Sequence, residues 1–304
     1  MHGSLELKAY AKVNLGLDVI RRREDGYHEI KMVMQTVKLY DQLTLSRNDS
    51  GQIRINTNLP FLPVNKKNLV YRAIDLIREE YGIRDGVDVK LTKHIPVAAG
   101  MAGGSTDAAA AFIGMNQLFH LNIRQETLLD YGVSLGADIP YCIIRGTALS
   151  EGIGEILTPL PPIPNCWFLI VKPAFSISTK YVYEHLVLTE NTLHPDIDGM
   201  VEAIRRGDLA GITGRMGNVL EDVAIKDYPQ IGQIKAEMTA RGALNALMSG
   251  SGSTVFGIFT DKDLAFEASR FFKLQPGIRQ VNVVRPFNKN PRGFVAAEEG
   301  NVEN

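Results

Sequence analysis

Apolar and polar residues alternate with a strand period in the first third of the chain and with a helix period in much of the rest. Leu5 to Ile20, Val33 to Leu45 and Ile53 to Asn56 read as strands, separated by the turn sequences Asp25-Gly26 and Asp49-Ser50-Gly51. Leu69, Ala73, Leu76 and Ile77 recur at helical spacing, which predicts a helix over Asn68 to Tyr81 closed by Gly82. A strand through Lys93, a glycine-rich loop and helices at Ser105 to Phe119 and Gln125 to Leu135 follow. The next residues, Gly136-Ala137-Asp138-Ile139-Pro140, predict a short stiff loop with an extended exit forced by the proline.

Leu157 to Asn165 is dense in proline and predicts a stiff linker. Beyond it, Cys166 to Lys172 reads as a buried strand, and Thr179 to Leu186, Asp196 to Arg206 and Pro229 to Arg241 read as helices. Ala243 to Phe259 reads as a strand pair around glycines, and a helix from Asp263 precedes a last strand at Gln280 to Arg285. The expected organisation is an α+β chain of two domains, residues 1–158 and 166–288, with a polar tail over 289–304. The early strands arrive as hairpins, which argues against a doubly wound parallel sheet.

The net charge of -1 over 304 residues gives no broad attraction to nucleic acid or to a membrane surface. Cys142 and Cys166 are too few for a disulfide framework and sit among apolar or aromatic residues, so buried thiols are expected. No apolar run approaches the roughly 18 residues of a membrane span, and the expected setting is a reducing cytoplasm.

Candidate chemistry begins with Pro96 to Ala111, P-V-A-A-G-M-A-G-G-S-T-D-A-A-A-A. A strand, a loop with Gly100, Gly103 and Gly104, and an alanine-rich helix together form an anion site. Glycine leaves backbone N–H groups open to one cavity, and the helix N-terminus adds its own. A phosphate chain suits such a loop, although a plain tight connection has the same composition. Neither G-x-x-x-x-G-K-[ST] nor G-x-G-x-x-G is present.

Four further features stand out. In A-Y-A-K-V-N-L-G-L-D-V, alternation puts Lys12, Asn14 and Gly16 on one strand face, which serves a polar cleft or simply meets solvent. Asp138 is either a helix cap or a catalytic carboxylate. Tyr27 and His28 follow a turn, where they fit recognition of a heterocycle or ordinary loop packing. Ser249 to Ser253, S-G-S-G-S, forms a second close-approach loop or a plain turn.

Three of these segments in this order, A-K-V-N-L, P-V-A-A-G-M-A-G-G-S-T-D-A-A-A and L-M-S-G-S-G-S-T-V-F, resemble the GHMP kinase superfamily. With D-G-Y-H-E-I and L-G-A-D-I-P-Y-C, the likeness is to the branch acting on 4-diphosphocytidyl-2-C-methyl-D-erythritol, and it extends over about residues 5–285. The resemblance implies an N-terminal domain like ribosomal protein S5 domain 2, a C-terminal ferredoxin-like α/β sandwich, and ligands in the cleft between them. It implies transfer of a phosphoryl group from ATP, with Mg²⁺, to the 2-hydroxyl of a small molecule carrying a cytidine diphosphate. A monomer or weak homodimer that binds neither nucleic acid nor membrane is expected.

By position, Lys12 and Asp138 match the family's catalytic pair. Pro96, Val97, Ala98, Ala99, Gly100, Met101, Ala102, Gly103, Gly104, Ser105 and Thr106 match its ATP phosphate loop, and Asn68 and Lys93 fall at the nucleotide site. Asn14, Tyr27, His28 and Tyr183 fall at substrate positions, and Ser105 is a candidate metal ligand. The family loop reads G-L-G-G-G-S-S-D, so Met101, Ala102 and Thr106 are departures. Ala102 is strained if that position needs positive φ. Gly16 replaces a bulky aromatic and is expected to widen the cleft. Mevalonate or homoserine kinase activity, a silent ligand sensor and an RNA-binding use of the fold are the rival readings.

Overall fold

A computed structural model describes residues 3–288; the polar tail 289–304 lies outside the described residues. The chain opens with a long hairpin, β1 (Ser4–Arg22) and β2 (His28–Asn48), joined by the Asp25-Gly26 turn. β3 (Ile53–Thr57), α1 (Leu69–Glu80) and β4 (Gly86–Thr92) follow, then α2 (Gly103–Leu118), α3 (Gln125–Leu135) and α4 (Ile139–Ile144). β5 (Thr147–Glu151) and β6 (Ile156–Leu160) complete the first unit.

The second unit comprises β7 (Trp167–Pro173), α5 (Thr179–His185), α6 (Ile197–Arg205), α7 (Leu209–Thr213) and β8 (Gly217–Asn218). It continues with α8 (Glu221–Asp227), α9 (Gln230–Ala240), β9 (Asn245–Met248) and β10 (Val255–Phe259), and ends with α10 (Lys262–Lys273) and β11 (Ile278–Val284).

Two sheets result. The larger runs β3-β4-β2-β1-β8, with β5 on β2 and β6 on β5; the smaller is antiparallel in the order β11-β7-β10-β9. One face of the β1–β2 hairpin packs on α1 and α2, where Ala108 to Phe112 are fully buried. Alanine keeps that helix slim enough to lie close against the sheet. The other face carries Ala11, Val13, Leu15, Val33 and Val37, which share a core with Phe168, Ile170, Ile197, Met200 and Phe256 of the second unit. The two units are therefore joined by apolar packing, and both cysteines are buried free thiols.

Three expectations change. The proline-rich stretch begins as strand: Pro159 lies on β6 opposite Ala148, tolerated because β6 is an edge strand paired only with β5. Pro140 does not force an extended exit but lies in the first turn of α4, where a missing N–H has no intrahelical acceptor. The helix after the glycine loop starts at Gly103, two residues before Ser105.

Lys172 on β7 is buried without a carboxylate partner among the described residues. Its ammonium donates to the carbonyls of Pro173 at 2.8 Å and of Phe175, fixing the segment that leads into α5. Burial, and then the charge of Arg279, lowers its pKa from 10.5 to about 8. Between those values the unfolded chain holds the extra proton, so stability rises with pH across this window. Lys172→Met is expected to abolish the rise, read by urea unfolding at about pH 7 and about pH 10.

Candidate active site

The glycine loop leaves β4, turns over the β1 strand and enters α2, bordering a cavity of about 570 Å³. Pro96 to Gly100 and Ala102 to Ser105 line this cavity, with Leu62, Pro63, Asn68 and Lys93 at one end and Lys12, Asn14 and Asp138 also on its wall. Close approach explains Gly100: its φ is +71°, and a Cβ there would collide with the Ser249 carbonyl oxygen. The S-G-S-G-S segment is thus a second loop seated on the first. Ser249 Oγ donates to the Gly100 carbonyl at 2.8 Å, and Asn218 Nδ2 holds the carbonyls of Met248 and Gly250 at 2.9 and 2.8 Å.

Lys12 and Asn14 are not on a solvated face, being 5% and 0% exposed. Lys12 Nζ donates to Asn14 Oδ1 at 2.8 Å and stands 3.9 Å from Asp138 Oδ2. Asp138 occupies the N-cap position of α4, yet its side chain makes no capping bond. Its side chain lines the cavity and is half-open to solvent, at 34% exposure. Tyr141 braces α4 from behind, donating to the Gly146 carbonyl at 2.7 Å and meeting Thr36 Oγ1 at 2.9 Å.

The shared face of Lys12, Asn14 and Gly16 needs correction. A register shift lies between Asn14 and Gly16, so Leu17 rather than Gly16 joins Lys12 and Asn14 on the cavity wall. A Cβ on Gly16 would lie 2.7 Å from Ile197 Cδ1 and 3.1 Å from Met200 Cε. Helix α6 fills that space, and the glycine does not widen the cleft.

A second cavity of about 410 Å³ adjoins the first and is lined by Tyr27, His28 and Tyr183. Ile30, Ile153, Thr179 and Tyr183 border both, forming a throat between them. The His28 and Tyr183 rings lie 5.1 Å apart, while Tyr27 is 62% exposed at the rim. Burial, and then the charge of Arg22, lowers the His28 pKa and favours the neutral imidazole, with one donor and one acceptor nitrogen. Burial raises the Tyr183 pKa, with the charge of Asp138 adding to it, so the phenol stays protonated beside the carboxylate.

Comparison with known proteins gives this geometry its family. The GHMP kinases N terminal domain matches residues 68–146, and the GHMP kinases C terminal domain matches residues 200–276. The 4-diphosphocytidyl-2-C-methyl-D-erythritol kinase of Lachnoclostridium phytofermentans is 56% identical over 283 residues, covering 93% of this chain and 97% of its own. The chain belongs to the GHMP kinase family. A second GHMP kinase of that description, from Lachnospira eligens, is 56% identical over 284 residues, 93% of this chain and 99% of its own. A crystal structure of 4-(cytidine 5'-diphospho)-2C-methyl-D-erythritol kinase superposes with a TM-score of 0.80 at 32% identity, covering 94% of this chain and 100% of that one. As in its family, ATP is the co-substrate.

Within this GHMP kinase, most of the expected site residues meet at the two cavities, and four behave differently from a plain contact. Met101 and Thr106 lie outside the cavity wall and are buried. The Met101 carbonyl instead accepts the Lys12 backbone N–H at 3.3 Å, tying the loop to β1. Lys93 lines the cavity, but its ammonium is held by Asp41 and by Asp107 at 2.5 Å, so its charge is already matched. Asn68 caps α1, accepting from Val70 N–H at 2.9 Å.

Asp107 lies within the quoted glycine-loop motif and Asp41 outside every motif, and neither carries an expected role. The signal for Asp41 was available: Val37, Leu39, Asp41, Leu43 and Leu45 alternate inward on β2, which places a carboxylate where only a paired one is tolerated.

Ala102 adopts φ 55° and ψ 31°, the left-handed region that costs a non-glycine residue roughly 1 kcal/mol or more. Its strain is thus present. Ala102→Gly is expected to raise stability by about 1 kcal/mol in chemical unfolding.

Proposed function

We propose that this protein phosphorylates the 2-hydroxyl of 4-diphosphocytidyl-2-C-methyl-D-erythritol with ATP, giving the 2-phosphate and ADP for isoprenoid precursor synthesis. The observation that carries the reading is the Lys12–Asp138 pair, unspent on capping, set on a cavity bordered by a phosphate-type loop and joined by a throat to an aromatic cavity. Relatives bearing that substrate's name match along nearly the whole chain.

In this reading, the nucleotide phosphates lie against the backbone of Pro96 to Ser105 and the positive end of α2. Asn68 and Lys93 border the nucleoside end. The cytosine ring enters between Tyr27 and Tyr183, with the neutral His28 imidazole at its hydrogen-bonding edge. This leaves the polyol in the throat, its hydroxyl directed at Asp138.

Phosphoryl transfer asks mainly for alignment and for neutralisation of charge on the transferred group. Asp138 accepts the hydroxyl proton. Lys12, steadied by Asn14, orients the carboxylate and carries positive charge to the reacting oxygens. Mg²⁺ takes oxygen ligands and water, and the Ser105 hydroxyl on the cavity wall fits that donor set; when bound, the ion neutralises phosphate charge. The chain is expected to work in the cytoplasm as a monomer or weak homodimer.

Asp138→Asn is expected to keep binding both substrates while losing most of kcat, measured by ADP release and by equilibrium binding. Near-normal turnover would remove Asp138 from the proton-accepting role. Tyr183→Ala is expected to raise KM for the cytidyl substrate at least about tenfold more than KM for ATP. Equal effects on both would defeat the assignment of the aromatic cavity to the base.

A further inference from the structure

A substrate with a nucleoside at one end and a reacting polyol at the other carries a diphosphate between them, and its two charges need a counterpart. The lysines of the first cavity stand at other stations. Lys12 is bound to Asn14 and faces Asp138, Lys93 is held by Asp41 and Asp107, and Lys67 stands beside Asn68 at the nucleotide end. The throat itself, Ile30, Ile153, Thr179 and Tyr183, brings no cation.

Two cations border the second cavity, one from the β1–β2 hairpin and one from α5. Arg22 ends β1 and is the cross-strand partner of His28. Its side chain makes no ion pair among the described residues. Lys180 lies on α5 three residues before Tyr183, so the two share one helix face. Its partner is Glu184 at 3.7 Å, an exposed i,i+4 pair worth little and easily exchanged for a stronger anion.

The order along α5 matches the order along the substrate. Tyr183 belongs to the base, Lys180 stands one turn nearer the helix start, and Thr179 borders the throat that leads to Asp138. A diphosphate linked to a base on Tyr183 and to a polyol at Asp138 passes beside these two residues.

From this arrangement we infer that Arg22 and Lys180 form a two-sided clamp for the substrate's diphosphate, making the second cavity a nucleoside diphosphate site rather than a base pocket alone. The inference rests on the proposed cytidyl reading of that cavity. Charge-assisted contacts to phosphate oxygens give the clamp its affinity, and the guanidinium adds a planar, two-toothed grip.

The test compares binding of cytidine and of cytidine diphosphate to the full-length protein by calorimetry, without ATP. The wild type is expected to bind the diphosphate at least about tenfold more tightly than cytidine. Arg22→Ala/Lys180→Ala is expected to erase that preference while cytidine affinity stays within about twofold. Both side chains are exposed, so an unchanged melting temperature is expected to accompany the loss.

Lys180→Glu is expected to invert the preference. A double variant that keeps the wild-type ratio overturns the clamp and moves the diphosphate to another anchor, such as the backbone of Gly250 and Ser251. A wild type that does not distinguish the two ligands overturns it as well. Failure of the underlying reading looks different: Tyr183→Ala would then leave the affinities of cytidine and cytidine diphosphate both unaltered.

Discussion

The seat of one glycine loop on another organises this molecule. A Cβ on Gly100 would collide with the Ser249 carbonyl oxygen, one on Gly250 would press to 3.2 Å from the Gly100 carbonyl oxygen, and Ser249 closes the contact with its hydrogen bond to the Gly100 carbonyl. A ring of short links follows from it. β1 holds the first glycine loop through Met101, that loop holds the Ser249–Ser253 segment, and Asn218 holds this segment to β8. β8 then pairs with β1 beside Gly16 and Leu17. Lys12 and Asn14 lie on β1 within this ring, so the proposed reacting groups take their positions from backbone contacts drawn from both units. The large apolar core shared by the units resists hinge motion there.

Charge is distributed with the same economy. Buried lysines in this chain do three different jobs, set by what surrounds each ammonium. Lys93 is paired with Asp41 and Asp107 and stabilises the root of the first glycine loop, where Asp41 also accepts the Ile95 N–H at 2.8 Å. Lys172 has two carbonyls and the Ser176 hydroxyl as partners and holds the approach to α5. Lys12 has an amide oxygen nearby and a carboxylate at 3.9 Å, a loose pairing that leaves its charge available to a ligand. Sequence position alone does not separate these three roles; partners do.

Much of the architecture was legible because the patterns were local. The β1–β2 hairpin, α1 with its closing Gly82, the alanine-rich α2 and the two glycine loops all follow from periodicity and turn chemistry over short windows. What escaped was non-local or broke a period. A one-residue irregularity after Asn14 moved Gly16 off the cavity face, and no composition cue announces such a bulge. Prolines at 140 and 159 read as breakers, but one sits at a helix start and the other on an edge strand, where each is tolerated. Met101 and Thr106 matched the phosphate loop by position, whereas the folded loop turns them into the core. The pairing of Lys93 with Asp41 joins residues 52 apart in sequence, which only the fold brings together.

Phosphorus NMR of the reaction mixture tests the central claim most directly. Purified protein would be incubated with ATP and Mg²⁺, and with 4-diphosphocytidyl-2-C-methyl-D-erythritol, mevalonate or homoserine in separate samples. The account predicts ADP together with one new phosphomonoester signal in the cytidyl sample and none in the others. A phosphomonoester formed from mevalonate or homoserine, with the cytidyl substrate left untouched, would contradict it.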